Sequence, residues 1–423
     1  MINEIPTDDP CIVLDANFAT MRECEVDDEG YGFITDGAAV VDQGKIAWMG
    51  RRDEIPPEVW NLPTWSAEHR LITPGLVECH THLIFAGDRR ECFAQRAAGR
   101  SYSDLVWEGR GFSATVAATR AASEDELFAE ARRRLDWFVS SGVTTIEVKS
   151  GYGLDVANEL KMLQVGRRLG AIGVARVLTT LLAGHLYPCG VEQELFVEEV
   201  CNDLIVKAHE AGLCDAVEVY CEESIGISLD DASTILEAAY KRKIPTRIIA
   251  DHLSDSAGAA LAPAFYARSA AHLNFTDDVA VEALATTNTT PILLPLPFLE
   301  LGCHQRPPID KLRECGIPMA VSTGCNPGLA PTANLLTAAH LACAAFGLSP
   351  LEAMRGITVC AARALGLEGV VGELSPGTAA DFAIWDAEHP EELIYWLDAP
   401  ICQSTRHSAL SEIQPQTEGI LAT

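Results

Sequence analysis

Positive charge is scarce in this chain. It carries 31 Lys and Arg against 60 Asp and Glu, a formal net charge of −29 over 423 residues. A surface of that sign repels nucleic acid and anionic lipid, because duplex binding relies on basic side chains neutralising phosphates. No nucleic-acid or membrane partner is therefore expected. No apolar run approaches the ~20 residues that span a bilayer. The start, Met1-Ile2-Asn3-Glu4, has no basic stretch leading into an apolar one, so no secretion signal is expected. The 14 cysteines form no Cys-x-x-Cys pair and sit mostly in apolar contexts such as Leu341-Ala342-Cys343-Ala344. This is the pattern of reduced, buried thiols, and a cytoplasmic setting follows as the expectation. No Gly-x-Gly-x-x-Gly follows an early strand, which leaves a dinucleotide site without support.

What is present is an ordinary folded composition, 48% hydrophobic and 22% charged. Its length suits one large α/β domain with an appendage. The first stretch reads as short strands and turns, including a hairpin over Gly37 to Gly50 that turns between Asp42 and Lys45. Near the other end, a turn-rich Gly372 to Gly377 leads into a buried strand over Ala380 to Asp386. The two ends are expected to pair into one small β domain.

Between them strand and helix patterns alternate. Strands are expected at 144–148, 176–182, 216–221, 246–250, 269–273, 291–294 and 319–323. Helices are expected at 124–140, 156–169, 192–211, 229–241, 278–286 and 332–346. With the strand leading to His80 this gives roughly eight βα units, the count of a closed (β/α)₈ TIM barrel, an α/β fold. An open doubly wound sheet is the alternative. The expected division is 1–73, 74–365 and 366–423, the middle being the barrel and the ends forming a composite β-sandwich.

A barrel presents its chemistry at the C-terminal ends of its strands. The most informative segment there is Pro74-Gly75-Leu76-Val77-Glu78-Cys79-His80-Thr81-His82. Side chains alternate along a strand, so His80 and His82 project the same way and make half of a metal site. Other strand ends bring Glu147, Lys149, His185, Glu218, Tyr220, Glu222, Asp251, His252, His272 and the run Ser322 to Gly328. Glu218 and Glu222 equally suit solvated or salt-bridged roles. His209, His304, His340, His389 and His407 read as ordinary hydrogen-bonded or surface histidines.

The chain resembles the imidazolonepropionases, amidohydrolase-superfamily enzymes that open the imidazolone ring in histidine breakdown. The resemblance rests on Pro74 to His82, Phe85-Ala86-Gly87-Asp88-Arg89, Thr119 to Ser123, Glu147 to Leu154, Glu159 to Leu163 and Asn326-Pro327-Gly328. It implies the barrel with a two-ended β-sandwich, and a homodimer. It also implies that His80 and His82 match metal ligands, and that Arg89, Tyr152 and His185 match residues holding an imidazolone-propionate substrate. Asn326 and Gly328 match groups near its propionate end, and His272 matches a histidine that steers the water. Arg89 suits a carboxylate because its planar fork gives two parallel charge-assisted bonds. A surface ion pair with Asp88 or Glu91 is the plainer reading of the same residue.

The chain departs from the family at the metal. A ligating histidine position is Ile249, and the substrate-contacting acidic or amide residue three further on is His252. The last-strand aspartate, ligand and proton acceptor, is Gly324, and the residue before His272 is Ala271. Isoleucine and glycine offer no lone pair, while catalytic zinc takes three protein ligands and a water. Three readings stay open. A rebuilt site would recruit His252, Asp251, His272 or Cys325 beside His80 and His82 to hold zinc or iron; His252 is out of strand phase with Ile249 and would need a bulge or a long reach. A metal-free enzyme would use His80, His82, His185, His252 and His272 for acid–base chemistry, with His252, His272 and His185 as the catalytic candidates, on a small cyclic amide or amidine bearing a carboxylate, by ring opening, isomerisation, dehydration or cyclisation. A non-catalytic binder would keep only the pocket. The expectation adopted is the metal-free enzyme, with His80 and His82 as a vestigial pair and no cofactor. Cys325 reads as a packed residue, with nucleophile or soft ligand as the sharper possibility.

Overall fold

The computed structural model describes residues 10–22, 29–101, 104–105, 108 and 110–408. Two sheets account for its strands. The smaller sheet is built from both chain ends. Its strands are β1 (Cys11–Ala19), β2 (Phe33–Asp42), β3 (Lys45–Arg51), β4 (Thr64–Ser66), β5 (Leu71–Pro74), β14 (Phe382–Trp385) and β15 (Cys402–Arg406). The expected hairpin is present, with Asp42 paired to Lys45. Gln43 and Gly44 both take positive φ, as the tight turn matching strand twist requires. The expected C-terminal strand runs antiparallel to β5, pairing Ile384 with Ile72. Period-two alternation sorts the side chains: Ile12, Leu14, Ala38 and Val40 pack in one cluster, Cys11, Val13, Ala39 and Val41 in another.

The larger sheet holds eight parallel strands in sequential order. They are β6 (Leu76–Glu78), β7 (Val143–Lys149), β8 (Arg176–Gly184), β9 (Ala216–Cys221), β10 (Thr246–Ala250), β11 (Ser269–His272), β12 (Thr290–Leu293) and β13 (Ala320–Val321). Helices such as Glu124–Ser140, Val156–Gly170, Leu229–Lys241 and Asp278–Thr286 connect them. Ser123, Asp155, Ser228 and Asp277 cap these four helices with side-chain oxygens, so each helix begins where a strand's loop ends. The fold is a (β/α)₈ barrel with a small β domain. The seam between its first and last strands is bridged just beyond β6 and β13. His82 N–H donates to the Cys325 carbonyl at 2.7 Å, and the Ser322 hydroxyl donates to the His80 carbonyl at 2.9 Å. The buried Glu78 carboxyl accepts from Thr323 N–H at 3.1 Å and lies in contact with the Ser322 hydroxyl oxygen.

The helix expected over 192–211 is one run with a π-helical turn at Val200–Leu204. Pro295-Leu296-Pro297 opens a helix over Pro295–Glu300, because proline is tolerated in a first turn whose N–H groups have no partner. Among the described residues no helix is long and apolar enough to cross a membrane, and all cysteines are free thiols.

Candidate functional site

A cavity of about 400 Å³ opens at the C-terminal end of the barrel strands. His80, His82, Arg89, Tyr152, His185, His252, His272, Gly324 and Asn326 all line it. Strand geometry explains this gathering: every one follows a parallel strand's C-terminal end or the loop leaving it.

The five imidazoles form two groups. The His82 ring stacks on His185 with centroids 5.2 Å apart, and His80 meets His82 edge-on at 5.7 Å. Tyr152 tilts against both His82 and His185 at 5.6 Å. The His252 and His272 rings stack at 3.6 Å. Asp251 adopts φ 51°, which turns the chain at the end of β10 and delivers His252 to the cavity beyond the strand. The expected bulge or long reach is thus replaced by a left-handed residue. The Asp251 carboxylate accepts from Gly258 N–H at 2.9 Å and the Thr276 hydroxyl at 2.8 Å, which ties it into the loop. Glu222 organises the following loop, accepting from Leu253 N–H at 2.8 Å and the Ser224 hydroxyl at 2.9 Å.

Burial keeps these rings neutral. It pushes His185 and His252 down to about 4 and His80, His82 and His272 well below the usual imidazole range. For His80 the nearby Lys149 ammonium adds to the same direction. His185 Nδ1–H donates to the Gly151 carbonyl at 2.9 Å, which leaves Nε2 as the acceptor. His252 Nδ1 lies 3.1 Å from the Tyr220 hydroxyl, and its buried Nε2 has no hydrogen-bond partner among the described residues.

Arg89 is only 7% exposed, so it is not the surface ion pair that its sequence neighbours allow. Asp88 pairs instead with Arg90. Arg89 Nε donates to the Thr115 hydroxyl at 2.8 Å, and its buried Nη2 has no hydrogen-bond partner among the described residues. Gly328 makes room for it: a Cβ there would lie 2.4 Å from Arg89 Nη1. Asn326 lines the cavity while its amide holds its own loop, with Oδ1 accepting from Gly328 and Leu329 N–H at 2.8 Å and Nδ2 donating to the Gly324 carbonyl at 2.8 Å.

Beneath the histidines lies a charge cluster that sequence reasoning left unassembled. Lys149 Nζ sits 2.8 Å from Glu147 and 3.1 Å from Glu218, and Arg247 lies 3.3 Å from Glu147, all fully buried. Two acids balance two bases, the condition under which buried charge is tolerated. Nothing in strand periodicity announces such a cluster, because its members come from β7, β9 and β10.

The metal corner can be judged from its donors. Among the described residues His80 Nδ1 and His82 Nδ1 are buried with no hydrogen-bond partner, Glu218 Oε1 lies 3.8 Å from His80 Nδ1, and Ile249 and Gly324 line the same cavity with nothing to donate. Gly324 has φ +61°, and a Cβ there would meet Pro297 Cγ at 3.3 Å and Leu294 Cδ2 at 3.4 Å. Among the described residues no three His, Cys, Asp or Glu converge as a metal-holding group. Cys325 is not among the residues that line the cavity, and burial pushes its thiol up to about 12.

The amidohydrolase family matches residues 71–417. An imidazolonepropionase of Maricaulis maris is 42% identical over 91% of this chain and 95% of its own. One from Cupriavidus pinatubonensis is 44% identical over 86% of each. The chain belongs to the imidazolonepropionase family of amidohydrolases. It is an amidohydrolase-superfamily enzyme acting on a carbon–nitrogen bond. The solved structure of a guanine deaminase from C. acetobutylicum with bound guanine shares its fold at a TM-score of 0.71 and 15% identity, covering 94% of this chain and 98% of that one. An adenosine deaminase from Xanthomonas campestris with bound zinc does so at 0.70 and 17%, covering 95% and 92%.

Proposed function

We propose that this enzyme acts, without a catalytic metal, on a small cyclic amide or amidine of the imidazolone type that carries a carboxylate. The observation that carries the reading is one cavity in which a buried, part-unpaired Arg89 faces a ring of neutral imidazoles while Ile249 and Gly324 stand in the metal corner.

In this reading Arg89 grips the carboxylate through its planar fork. Tyr152 and His185 hold the ring, His185 accepting at Nε2. His252 and His272 handle protons, and His80 and His82 form the floor. Ring opening adds the hydroxyl of water to the carbonyl carbon, breaks the carbon–nitrogen bond and places a proton on the leaving nitrogen. A ring held near 4 accumulates little imidazolium at neutral pH. His252 therefore acts as a relay, passing a proton at Nε2 while exchanging one at Nδ1 with the Tyr220 hydroxyl. The surrounding neutrality favours such concerted transfer over a stored charge.

The proposal includes a cytoplasmic setting, supported by the free thiols, and a homodimer, supported by the resemblance alone and read by sedimentation equilibrium. The activity test is turnover of imidazolone propanoate, hydantoins and lactams by protein purified without added metal. Chelator-insensitive ring opening is expected. Stoichiometric zinc or iron, lost together with activity, would overturn the metal-free reading. Tight binding of these compounds with no product would leave a receptor instead.

A further inference from the structure

The cavity's wall is more selective than a carboxylate grip alone. Among the described residues Arg89 is its one cationic lining residue of fixed charge, and no Asp or Glu lines it. The charges below are matched among themselves, Lys149 and Arg247 against Glu147 and Glu218. At Ile249 and Gly324 the cavity wall offers no polar side chain. Ile249 is buried in the same packed cluster as Leu294, and Leu294 and Pro297 lie within 3.3–3.4 Å of where a side chain at Gly324 would begin. Ile249, Leu294 and Pro297 make this part of the wall apolar.

We infer that the ligand is a monocarboxylate with no second charge, whose ring edge reaching Ile249, Leu294 and Pro297 is a hydrocarbon edge. This rests on the proposed function only in taking the cavity as the site. The carboxylate finds the Arg89 guanidinium. A cationic substituent finds no carboxylate to pair with, and a second anion meets either neutral rings or hydrocarbon. An apolar substituent against Ile249 and Leu294 leaves water for a dry surface. The class is thus an aryl or unsaturated heterocyclic acid, and zwitterions such as amino acids are rejected.

Binding calorimetry with three probes tests this independently of turnover: 3-phenylpropanoate, 3-(4-methylphenyl)propanoate and 3-(4-aminomethylphenyl)propanoate. The methyl group is expected to tighten binding roughly fourfold, the value of one buried carbon. The aminomethyl group is expected to weaken it by about tenfold or more relative to methyl. Ile249→Ala should erase the methyl gain, and the milder Ile249→Val should preserve most of it, which covers the case that alanine disturbs folding. Arg89→Met should abolish binding of all three. The inference is overturned if the aminomethyl probe binds as well as the methyl one, if the methyl gain survives Ile249→Ala, or if no carboxylate binds. Turnover of imidazolone propanoate without a methyl gain would sink this inference and leave the proposed function. Selective aryl-acid binding with no ring opening would do the reverse.

Discussion

Replacing Gly328 by alanine puts a methyl carbon where the Arg89 guanidinium now lies. The ideal Cβ falls 2.4 Å from Nη1. Ordinary heavy-atom contacts lie near 3.5 Å, so the guanidinium must retreat by about 1 Å. Charge-assisted bonds of about 2.7–2.9 Å do not survive that displacement with both arms aligned. A hydrogen bond to a charged group contributes about 1.5–3 kcal/mol, so a carboxylate ligand should bind about ten- to a hundredfold more weakly. The backbone at Gly328 lies outside the left-handed region, and the intruded atom ends a long flexible side chain. Unfolding free energy should therefore shift by less than about 1 kcal/mol. Calorimetric titration with 3-phenylpropanoate and with its uncharged primary amide reads the difference. The acid should lose affinity and the amide should not. Equal losses for both, or no loss for the acid, would refute the assignment of Arg89 as the carboxylate clamp. Thr115→Val, which removes the 2.8 Å bond that steadies Arg89 Nε, should give a smaller loss in the same direction.

Acid should destabilise the fold through His185 and His252. Both sit at about 4 in the folded chain against an ordinary 6.5, so the unfolded state binds more protons between those values and stability climbs with pH across that window. Each ring contributes about 3 kcal/mol, present above 6.5 and lost as pH falls through 4. Burial pushes Glu78 up to about 7, which opposes this slope from about 4.5 upward, and urea denaturation from pH 4 to pH 8 should still show a net rise because the depressed histidines outnumber it. Tyr220→Phe should redistribute the His252 tautomers, visible as a change in its imidazole ¹⁵N shifts, while His185, held by Gly151, keeps its own. Ile249→His with Gly324→Asp should create zinc uptake that neither change gives alone. The aspartate pays about 1 kcal/mol for its left-handed backbone, so a lowered midpoint in the absence of zinc and a restored one in its presence are expected.

The strands that build the site were legible because buried parallel strands are short apolar runs between helices. The expected ranges for β9 and β10 coincide with those observed. The histidines were legible for a related reason, since a barrel sends every strand's end to one face. Less visible were the short helices Pro295–Glu300 and Ile309–Glu314, which span too few turns to show a period. Within the site, the Tyr220–His252 bond, the room that Gly328 leaves for Arg89 and the Lys149 cluster join residues far apart in sequence. Their signals lie in three-dimensional packing, and no spacing along the chain records them. The loop-bound amide of Asn326 belongs to the same class: a side chain at a cavity wall reads alike whether it faces a ligand or its own backbone.

The claim on which the account turns is that an inherited ring-opening pocket works with its metal corner lined by Ile249, Leu294 and Pro297. Its most direct test is the metal content of protein prepared in zinc-supplemented medium, with turnover of imidazolone propanoate followed before and after chelation. The account predicts no stoichiometric metal and the same rate on both sides of the chelation step. Bound metal whose removal abolishes turnover and whose return restores it would contradict the account.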